Sequence, residues 1–319
     1  MREIDLDINA PKRRVTVMSY GSSRAGKTRF AATFPRPLFL SDNSEGGWET
    51  IRNMNPEARY EPDVMPRVWA MEKPEDMVKS VMAIEQICRG PHTMNGKQYK
   101  PGDIQTVVID SLTFYGDSFL THLERTQKDK RQVYQALNGH LREIMVRVHE
   151  LPVNVVWICL EKAPDEENPQ MGGILIPGQT KDKAPARCDY WFYHRSFQRG
   201  QELAFEVRTK KFGVWPAGGR DEGALPDPLP ETNYRAMAEA LGLVNSTGAY
   251  SPGELAQKRQ QDALDEENAV LTTPPSTSTA AVPQATQVGA ASNPNQNPNR
   301  SPAPAPMRRP VPVPGRQTR

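Results

Sequence analysis

The sequence predicts an α/β fold in which a mostly parallel central sheet carries helices on both faces and antiparallel strands at one edge. Near-continuous apolar runs, typical of strands buried on both faces, alternate with segments of helical periodicity. A later segment, ELAFEVRTKKFGVWP, alternates between apolar and polar residues, as antiparallel edge strands do. The apolar runs are VTVMSY (15–20), LFLSD (38–42), TVVID (106–110) and VNVVWICL (153–160).

Three segments between these runs are predicted to be helices. They are 28–33, 75–87 and 131–150. The last places its apolar residues on a single stripe of a helix. These apolar residues are Leu137, Leu141, Ile144, Met145 and Val148. Alternation of strands and helices favours right-handed crossover connections between parallel strands.

Composition divides the 319 residues into a core and a tail. Residues 268–319 contain no acidic or aromatic residue and are rich in Pro, Ala and Ser, so we expect a disordered tail. Its only charges are five arginines, which suit either a solubilising segment or a weak tether to nucleic acid or an acidic partner. We therefore expect a folded core over 1–245, a helical or linker segment over 246–267, and the tail over 268–319.

Charge, cysteine usage and hydropathy narrow the class of protein. The formal net charge of +2 gives no global signal for binding a polyanion. The three cysteines lack CxxC spacing, which favours reduced thiols over a disulfide or zinc site. No apolar run approaches the roughly 20 residues that span a bilayer. We expect a cytoplasmic protein with no membrane partner.

A phosphate-binding loop follows the first predicted strand. GSSRAGKT at 21–28 satisfies GxxxxGK[ST] at every fixed position, with a strand before it and a helix after it. The glycines allow a tight turn whose amides point at phosphate oxygens, and the helix start adds its positive dipole end. The predicted nucleotide-binding residues are Gly21, Ser22, Ser23, Arg24, Ala25, Gly26, Lys27 and Thr28.

Within this loop, Lys27 supplies a charge to the β- and γ-phosphates, and the Thr28 hydroxyl is placed to hold Mg²⁺. Asp110 ends the apolar run TVVID, where a carboxylate can hold a magnesium-bound water opposite Thr28. The predicted cofactors are ATP and Mg²⁺. A guanine-reading NKxD motif is absent, since TKDK at 180–183 ends in Lys, and this favours ATP over GTP.

The base that orients the attacking water is predicted in the segment NSEGGW. P-loop enzymes with an additional strand in the sheet often place a Glu beyond the neighbouring strand, and Glu45 occupies that place before two glycines. Asp42, which ends the strand itself, is the competing candidate. Trp48 is interpreted as packing against the strand edge, with stacking on adenine as the alternative.

Together, GSSRAGKT, FLSDNSEGG, TVVIDSLT and VNVVWICLEK resemble RecA-like P-loop ATPases, in this order and spacing. The chain looks most like compact phage-encoded members of AAA type that act in single-strand annealing or recombination. The resemblance covers about residues 13–235. It implies that Lys27, Glu45 and Asp110 are catalytic residues, that Thr28 and Asp110 hold the metal, and that Glu161 occupies the γ-phosphate sensor position.

The same resemblance implies partners. MGGILIPGQTKDKAPARCDYWFYHR resembles a mobile DNA-facing loop and the strand after it, with Lys181, Lys183 and Arg187 meeting phosphates of single-stranded DNA and Gly172, Gly173 and Gly178 giving mobility. VRTKKFGVWPAGGRD resembles the region whose cations reach across a subunit interface, here Lys210, Lys211 and Arg220. Protomers would assemble head-to-tail as a homo-oligomeric ring or filament, with a single-strand-binding protein as a further candidate partner.

The predicted function is a DNA-stimulated ATPase that acts on single-stranded DNA in phage recombination, annealing or replication, in the host cytoplasm. An annealing protein that uses ATP only as an assembly ligand is one alternative. A P-loop helicase or motor is another. A nucleotide kinase is disfavoured because no arginine-rich lid follows the core helices.

Overall fold

Strands and helices alternate along most of the described chain. The computed structural model describes residues 14–42, 46–166, 169–220, 223–245 and 248–249. The strands are β1 (Thr16–Gly21), β2 (Pro37–Asp42), β3 (Arg67–Met71), β4 (His92–Met94), β5 (Lys97–Tyr99), β6 (Thr106–Asp110), β7 (Asn154–Lys162), β8 (Gly173–Leu175), β9 (Tyr190–Arg199), β10 (Glu202–Arg208), β11 (Gly218–Gly219), β12 (Val244–Asn245) and β13 (Gly248–Ala249). The helices are α1 (Lys27–Ala32), α2 (Trp48–Arg52), α3 (Glu75–Arg89), α4 (Leu112–Thr126), α5 (Lys130–Glu150), α6 (Thr180–Lys183) and α7 (Tyr234–Ala240).

A nine-stranded sheet forms the centre. Seven of its strands lie in the order β10-β9-β1-β7-β6-β2-β3, and the other two, β8 and β11, pair with β7 and β9. Neighbours from β9 to β3 all pair in parallel. Three strands are antiparallel to a neighbour: β10 and β11 pair with β9, and β8 pairs with β7. Because parallel strands point the same way, the carboxyl ends of β1, β7, β6 and β2 meet at one edge of the sheet. Of the described helices, none is both long and apolar enough to cross a membrane.

Helices cover both faces of this sheet. All six residues of β1 are buried, and their side chains divide between two apolar layers. Met18 and Tyr20 join the layer that contains α3, α4 and α5, whereas Val15 and Val17 join the layer that contains α1, α2 and α7. A strand covered on both sides needs apolar residues at successive positions, which is why VTVMSY lacks strict alternation.

The predicted fold class is confirmed. The four apolar runs form β1, β2, β6 and β7, the three helical segments form α1, α3 and α5, and ELAFEVR forms the antiparallel edge strand β10. The sequence analysis did not anticipate α4, whose pattern is interrupted by Gly116, nor the short elements β3 and α7. The tail over 268–319 and the helix expected within 246–267 lie outside the described residues.

The segment after β7 folds back over α4 and α5. The Thr113 hydroxyl donates to the Leu175 carbonyl at 2.6 Å and accepts from the Leu160 amide at 2.9 Å. Asn138 Oδ1 accepts from the Gln179 amide at 2.9 Å. Polar side chains of two helices therefore fix the main chain of this segment.

Two helical glycines give a matched stability test. A methyl group at Gly116 would lie 2.9 Å from the Pro177 ring, whereas Gly139 in α5 is exposed and has no neighbour within 4 Å of such a group. We predict that Gly116→Ala lowers the free energy of unfolding by about 1–2 kcal/mol, because overpacking outweighs the gain in helix propensity. Gly139→Ala should raise it by about 0.5–1 kcal/mol. Urea denaturation measures both, and equal effects of the two variants would contradict the packing.

Candidate nucleotide and magnesium site

The phosphate loop connects β1 to α1 at the carboxyl edge of the sheet. Ser22, Ser23 and Arg24 are exposed, while Ala25 is buried. Gly26 adopts φ +85°, and Arg24 adopts φ 63°, a left-handed conformation that is uncommon outside glycine. The two positive φ values give the loop its tight turn.

The glycine at the start of the loop is required by its neighbour in β9. A Cβ atom at Gly21 would come within 2.1 Å of the His194 carbonyl oxygen, so any other residue would force the two strands apart. The His194 ring is fully buried, and its Nε2 lies 3.1 Å from Ser19 Oγ. Burial, helped by the nearby Lys27 charge, lowers the pKa of His194 to about 3. The residue that packs against the first glycine of the loop therefore has an uncharged ring at neutral pH.

Lys27 is held inside the loop by main-chain oxygens. Its side chain is buried, and Nζ donates to the Gly21 carbonyl at 2.9 Å and to the Ser22 carbonyl at 2.6 Å. The ammonium group is thus kept at the loop and directed by the loop's own backbone. This is the position from which a lysine can serve as a point charge for phosphate oxygens.

The structure brings Thr28 and Asp110 together. Thr28 Oγ1 donates to Asp110 Oδ2 at 2.9 Å, although the two residues are far apart in the sequence. Asp110 ends β6 and is 2% exposed. Burial raises its pKa to about 6, against the opposing effects of the Thr28 hydrogen bond and the Lys27 charge. A buried carboxylate with so little compensation suits a nearby cation.

The oxygen chemistry of this pair fits Mg²⁺. Magnesium is usually bound by one or two carboxylates together with substrate phosphates and waters. A hydroxyl and a carboxylate beside a phosphate loop supply that partial set. Within the described ranges, no group of three or more His, Cys, Asp or Glu residues is arranged to hold a metal.

Gly47 closes over the same pair. A Cβ atom built on Gly47 would lie 3.1 Å from Asp110 Oδ2 and 3.9 Å from Thr28 Oγ1. The second glycine of the EGG segment therefore lets the main chain approach the proposed metal ligands closely. The sequence shows the two glycines but does not show that one of them lies beside Asp110.

Of the two candidates for the water-orienting base, Asp42 lies within the described residues and Glu45 does not. Glu45 lies outside the described residues, so its role stays a prediction. Asp42 ends β2, and its Oδ2 accepts from Ser118 Oγ of α4 at 3.0 Å. Trp48 is 38% exposed and lines a pocket together with Met65 and with Val68 of the edge strand β3, so its role stays a prediction.

Glu161, at the end of β7, faces the phosphate loop. Burial raises its pKa, while the Tyr193 hydroxyl, the Lys27 ammonium and the Ser22 amide act in the opposite direction. Burial and the same carboxylate raise the pKa of Tyr193 to about 12, so Tyr193 stays a hydrogen-bond donor. The position predicted to sense the γ-phosphate therefore carries a carboxylate that contacts Tyr193 of β9. Sequence reasoning missed Tyr193, because the pairing of β9 with β1 is a tertiary contact.

The three cations predicted to reach across a subunit interface lie in two different parts of the structure. Lys210 and Lys211 are exposed just after β10. Arg220 follows β11, and its Nη2 donates to the Ala186 carbonyl at 2.9 Å. The structure thus groups Arg220 with the predicted DNA-facing segment and not with the two lysines.

The predicted DNA-facing segment after β7 borders a cavity of about 710 Å³, which we call the larger cavity. Lys181 and Arg220 line it beside the Trp191 ring, and Asp165 and Asp182 line it as well. Lys183 is exposed on α6, and Arg187 is half-buried in the following turn. The larger cavity therefore combines cations, acids and an aromatic ring.

The glycines of this segment have a packing role that the sequence did not predict. A Cβ atom at Gly172 would lie 2.3 Å from the Trp215 ring, and one at Gly178 would lie 2.5 Å from Asn138 Oδ1. Gly173 has no neighbour within 4 Å of such an atom. Mobility was the expected reason for all three glycines, whereas close packing accounts for two of them.

Asp110 provides a test of the site's electrostatics. We predict that Asp110→Asn raises the unfolding temperature of the metal-free protein at pH 7.5, because the buried charge is removed. The free energy of unfolding should rise by on the order of 2 kcal/mol. The pKa of Asp110 is raised on folding, so its cost is absent below about pH 4 and complete above about pH 6. The gain should therefore vanish near pH 4.

Asp227 is the matched control for this prediction. Its carboxylate accepts from Arg208 Nη2 at 2.7 Å and from the Thr209 amide at 2.8 Å. Asp227→Asn should lower the unfolding temperature, because it weakens a partnered carboxylate. Thermal scans of both variants at the two pH values decide the matter, and a decrease for Asp110→Asn at pH 7.5 would contradict the interpretation of Asp110.

Comparison with known proteins agrees with this geometry. A family model described as an AAA domain matches residues 13–208, a range that includes the phosphate loop, Asp110 and Glu161. No curated protein matches the sequence. Among solved structures, a KaiC-like protein from Pyrococcus horikoshii OT3 is similar, with 16% identity and a TM-score of 0.33, over 61% of this chain and 77% of that chain. The family match covers more than half of the chain, so the chain belongs to the AAA domain family. It is an AAA-type P-loop ATPase.

Proposed function

We propose that the protein hydrolyses ATP with Mg²⁺ and acts on single-stranded DNA in recombination, annealing or replication, as phage-encoded RecA-like proteins do. The observation that carries the ATPase part is the 2.9 Å contact between Thr28 and Asp110 beside the buried Lys27. Three groups needed for phosphoryl transfer, two from the start of α1 and one from the end of β6, meet at one edge of the sheet.

Each group has a distinct role in the proposed reaction. Lys27 donates to the β- and γ-phosphate oxygens, and the loop amides hold the remaining oxygens. Thr28 and Asp110 hold Mg²⁺, which supplies charge neutralisation at the phosphates when bound. Glu45 orients the attacking water, and Glu161 is placed by Tyr193 next to the loop, where it can respond to the terminal phosphate. Charge stabilisation at fixed positions accounts for most of the catalysis.

The DNA part of the proposal rests on the segment after β7. Lys181, Lys183, Arg187 and Arg220 are grouped there, and Trp191 offers an aromatic ring in the larger cavity. Cations for the backbone and aromatic rings for the bases are the two features that single-strand binders combine. Thr113 connects this segment to the helix that follows Asp110. Binding of nucleotide and of DNA would therefore act on adjoining main chain.

Assembly is part of the same proposal. Lys210 and Lys211 are exposed after β10, and in a head-to-tail homo-oligomer they would complete the ATP site of the neighbouring subunit. An ATP-dependent change in oligomer size, lost in Lys210→Ala/Lys211→Ala, is the expected result by light scattering.

The central experiment measures ATP hydrolysis with and without single-stranded DNA. We expect stimulation by DNA, and we expect Lys27→Ala to reduce turnover on the order of 100-fold, because a charge that stabilises the transition state is removed. Lys79→Ala, which removes a 68% exposed lysine of α3, is the matched control and should keep most of the activity. Tight DNA binding without turnover would instead favour the annealing protein, and no effect of DNA on turnover or binding would refute the DNA role.

Gly47 gives a second test of the metal site. We predict that Gly47→Ala raises the Mg²⁺ concentration needed for half-maximal hydrolysis severalfold, because the added methyl group would crowd Asp110 Oδ2. The φ of Gly47 is −57°, so alanine causes no backbone strain there. Glu49→Ala, on the same short helix, serves as the control. An unchanged Mg²⁺ dependence in Gly47→Ala would show that the metal is held elsewhere.

A further inference from the structure

A second, smaller cavity lies directly beside the phosphate loop. Its volume is about 230 Å³, below the roughly 300–1,000 Å³ of pockets that enclose a whole ligand, so it suits one ring system. We refer to it as the loop-side cavity. It is lined by Gly26, Arg29, Thr33, Ala58, Phe205, Thr232 and Asn233.

The sheet order places this cavity opposite the proposed metal ligands. β6, which carries Asp110, lies on one side of β1 beyond β7, whereas β10, which carries Phe205, lies on the other side beyond β9. Gly26 belongs to the phosphate loop and also lines the cavity. The phosphate loop therefore has the proposed metal ligands on one side and Phe205 on the other.

An aromatic ring borders the phosphate loop at this point. A Cβ atom at Gly26 would lie 3.0 Å from Phe205 Cδ1, so the absence of a side chain on Gly26 lets the ring lie against the loop. Phe205 is half-buried, and it reaches the loop because β10 continues the sheet beyond β9. An aromatic face at a cavity of this size is suited to stacking on a flat ring.

Most polar groups that line the cavity already have partners. Thr33 Oγ1 donates to the Phe30 carbonyl and accepts from the Tyr234 amide. Asn233 uses Oδ1 to accept from the Ala236 amide and Nδ2 to donate to Glu231. The exposed guanidinium of Arg29 makes no hydrogen bond or ion pair with another described residue, and it is available for a phosphate at the cavity mouth.

We propose that the loop-side cavity receives the base of the bound nucleotide, with Phe205 stacked on the base and Arg29 beside the phosphate nearest the ribose. This assignment rests on the proposed function of the phosphate loop. Trp48 does not take this role, because it directly follows Gly47, which contacts the metal ligands on the opposite side of β1.

The experiment compares ATP with inorganic tripolyphosphate, which has the phosphates but no base. Binding of each is measured by calorimetry on the full chain in Mg²⁺. Phe205→Ala should weaken ATP binding on the order of tenfold, as expected for loss of one aromatic stacking contact, and should leave tripolyphosphate binding unchanged. Phe205→Trp, which keeps an aromatic face, should bind ATP nearly as well as the unaltered protein.

Leu203→Ala is the matched control, since Leu203 lies two residues earlier in β10, is 54% exposed and does not line the cavity. It should change neither affinity. Equal weakening of ATP and tripolyphosphate by Phe205→Ala would assign Phe205 a purely structural role and overturn the proposal, as would unchanged ATP binding. If the unaltered protein binds neither compound, the proposed function of the phosphate loop itself fails.

Discussion

The hydrogen bond between Thr28 and Asp110 is the interaction on which the site depends. It joins the start of α1, the helix that follows β1, to the end of β6, and β7 lies between β1 and β6 in the sheet. The carboxylate is almost wholly buried, and one hydroxyl and a nearby ammonium compensate for little of the cost of burial, as its raised pKa shows. Such a group costs stability, and the magnesium ion proposed for this site would offset that cost when bound.

Close backbone approaches surround this interaction. Gly21 lies against the carbonyl of His194, Gly26 against the ring of Phe205, and Gly47 against the Asp110 carboxylate. Each lacks a side chain for a different reason: strand packing, contact with an aromatic ring, and access to the proposed metal ligands. Together they explain why a loop of small residues can be fixed in position although several of its side chains are exposed.

The same region is tied to the segment after β7. Asp110 is followed by Ser111, whose hydroxyl caps α4, and Thr113 on the first turn of α4 bonds to the main chain of both Leu160 and Leu175. The proposed metal site and the segment with the candidate DNA-binding cations therefore share one helix start. Closely packed glycines fix other parts of that segment, so a response to nucleotide would involve movement of packed elements and not of a loose loop.

The sequence by itself determined the strands β1, β2, β6 and β7, the phosphate loop and the acid at the end of TVVID, because buried parallel strands and phosphate-binding turns leave local patterns. The structure places Asp110 against Thr28, the residue it was expected to face, whereas only the tertiary structure showed that Tyr193 meets Glu161 and that Phe205 meets the loop. These contacts depend on strand order, and strand order is set by packing and pairing between segments far apart in the chain. No local pattern records it.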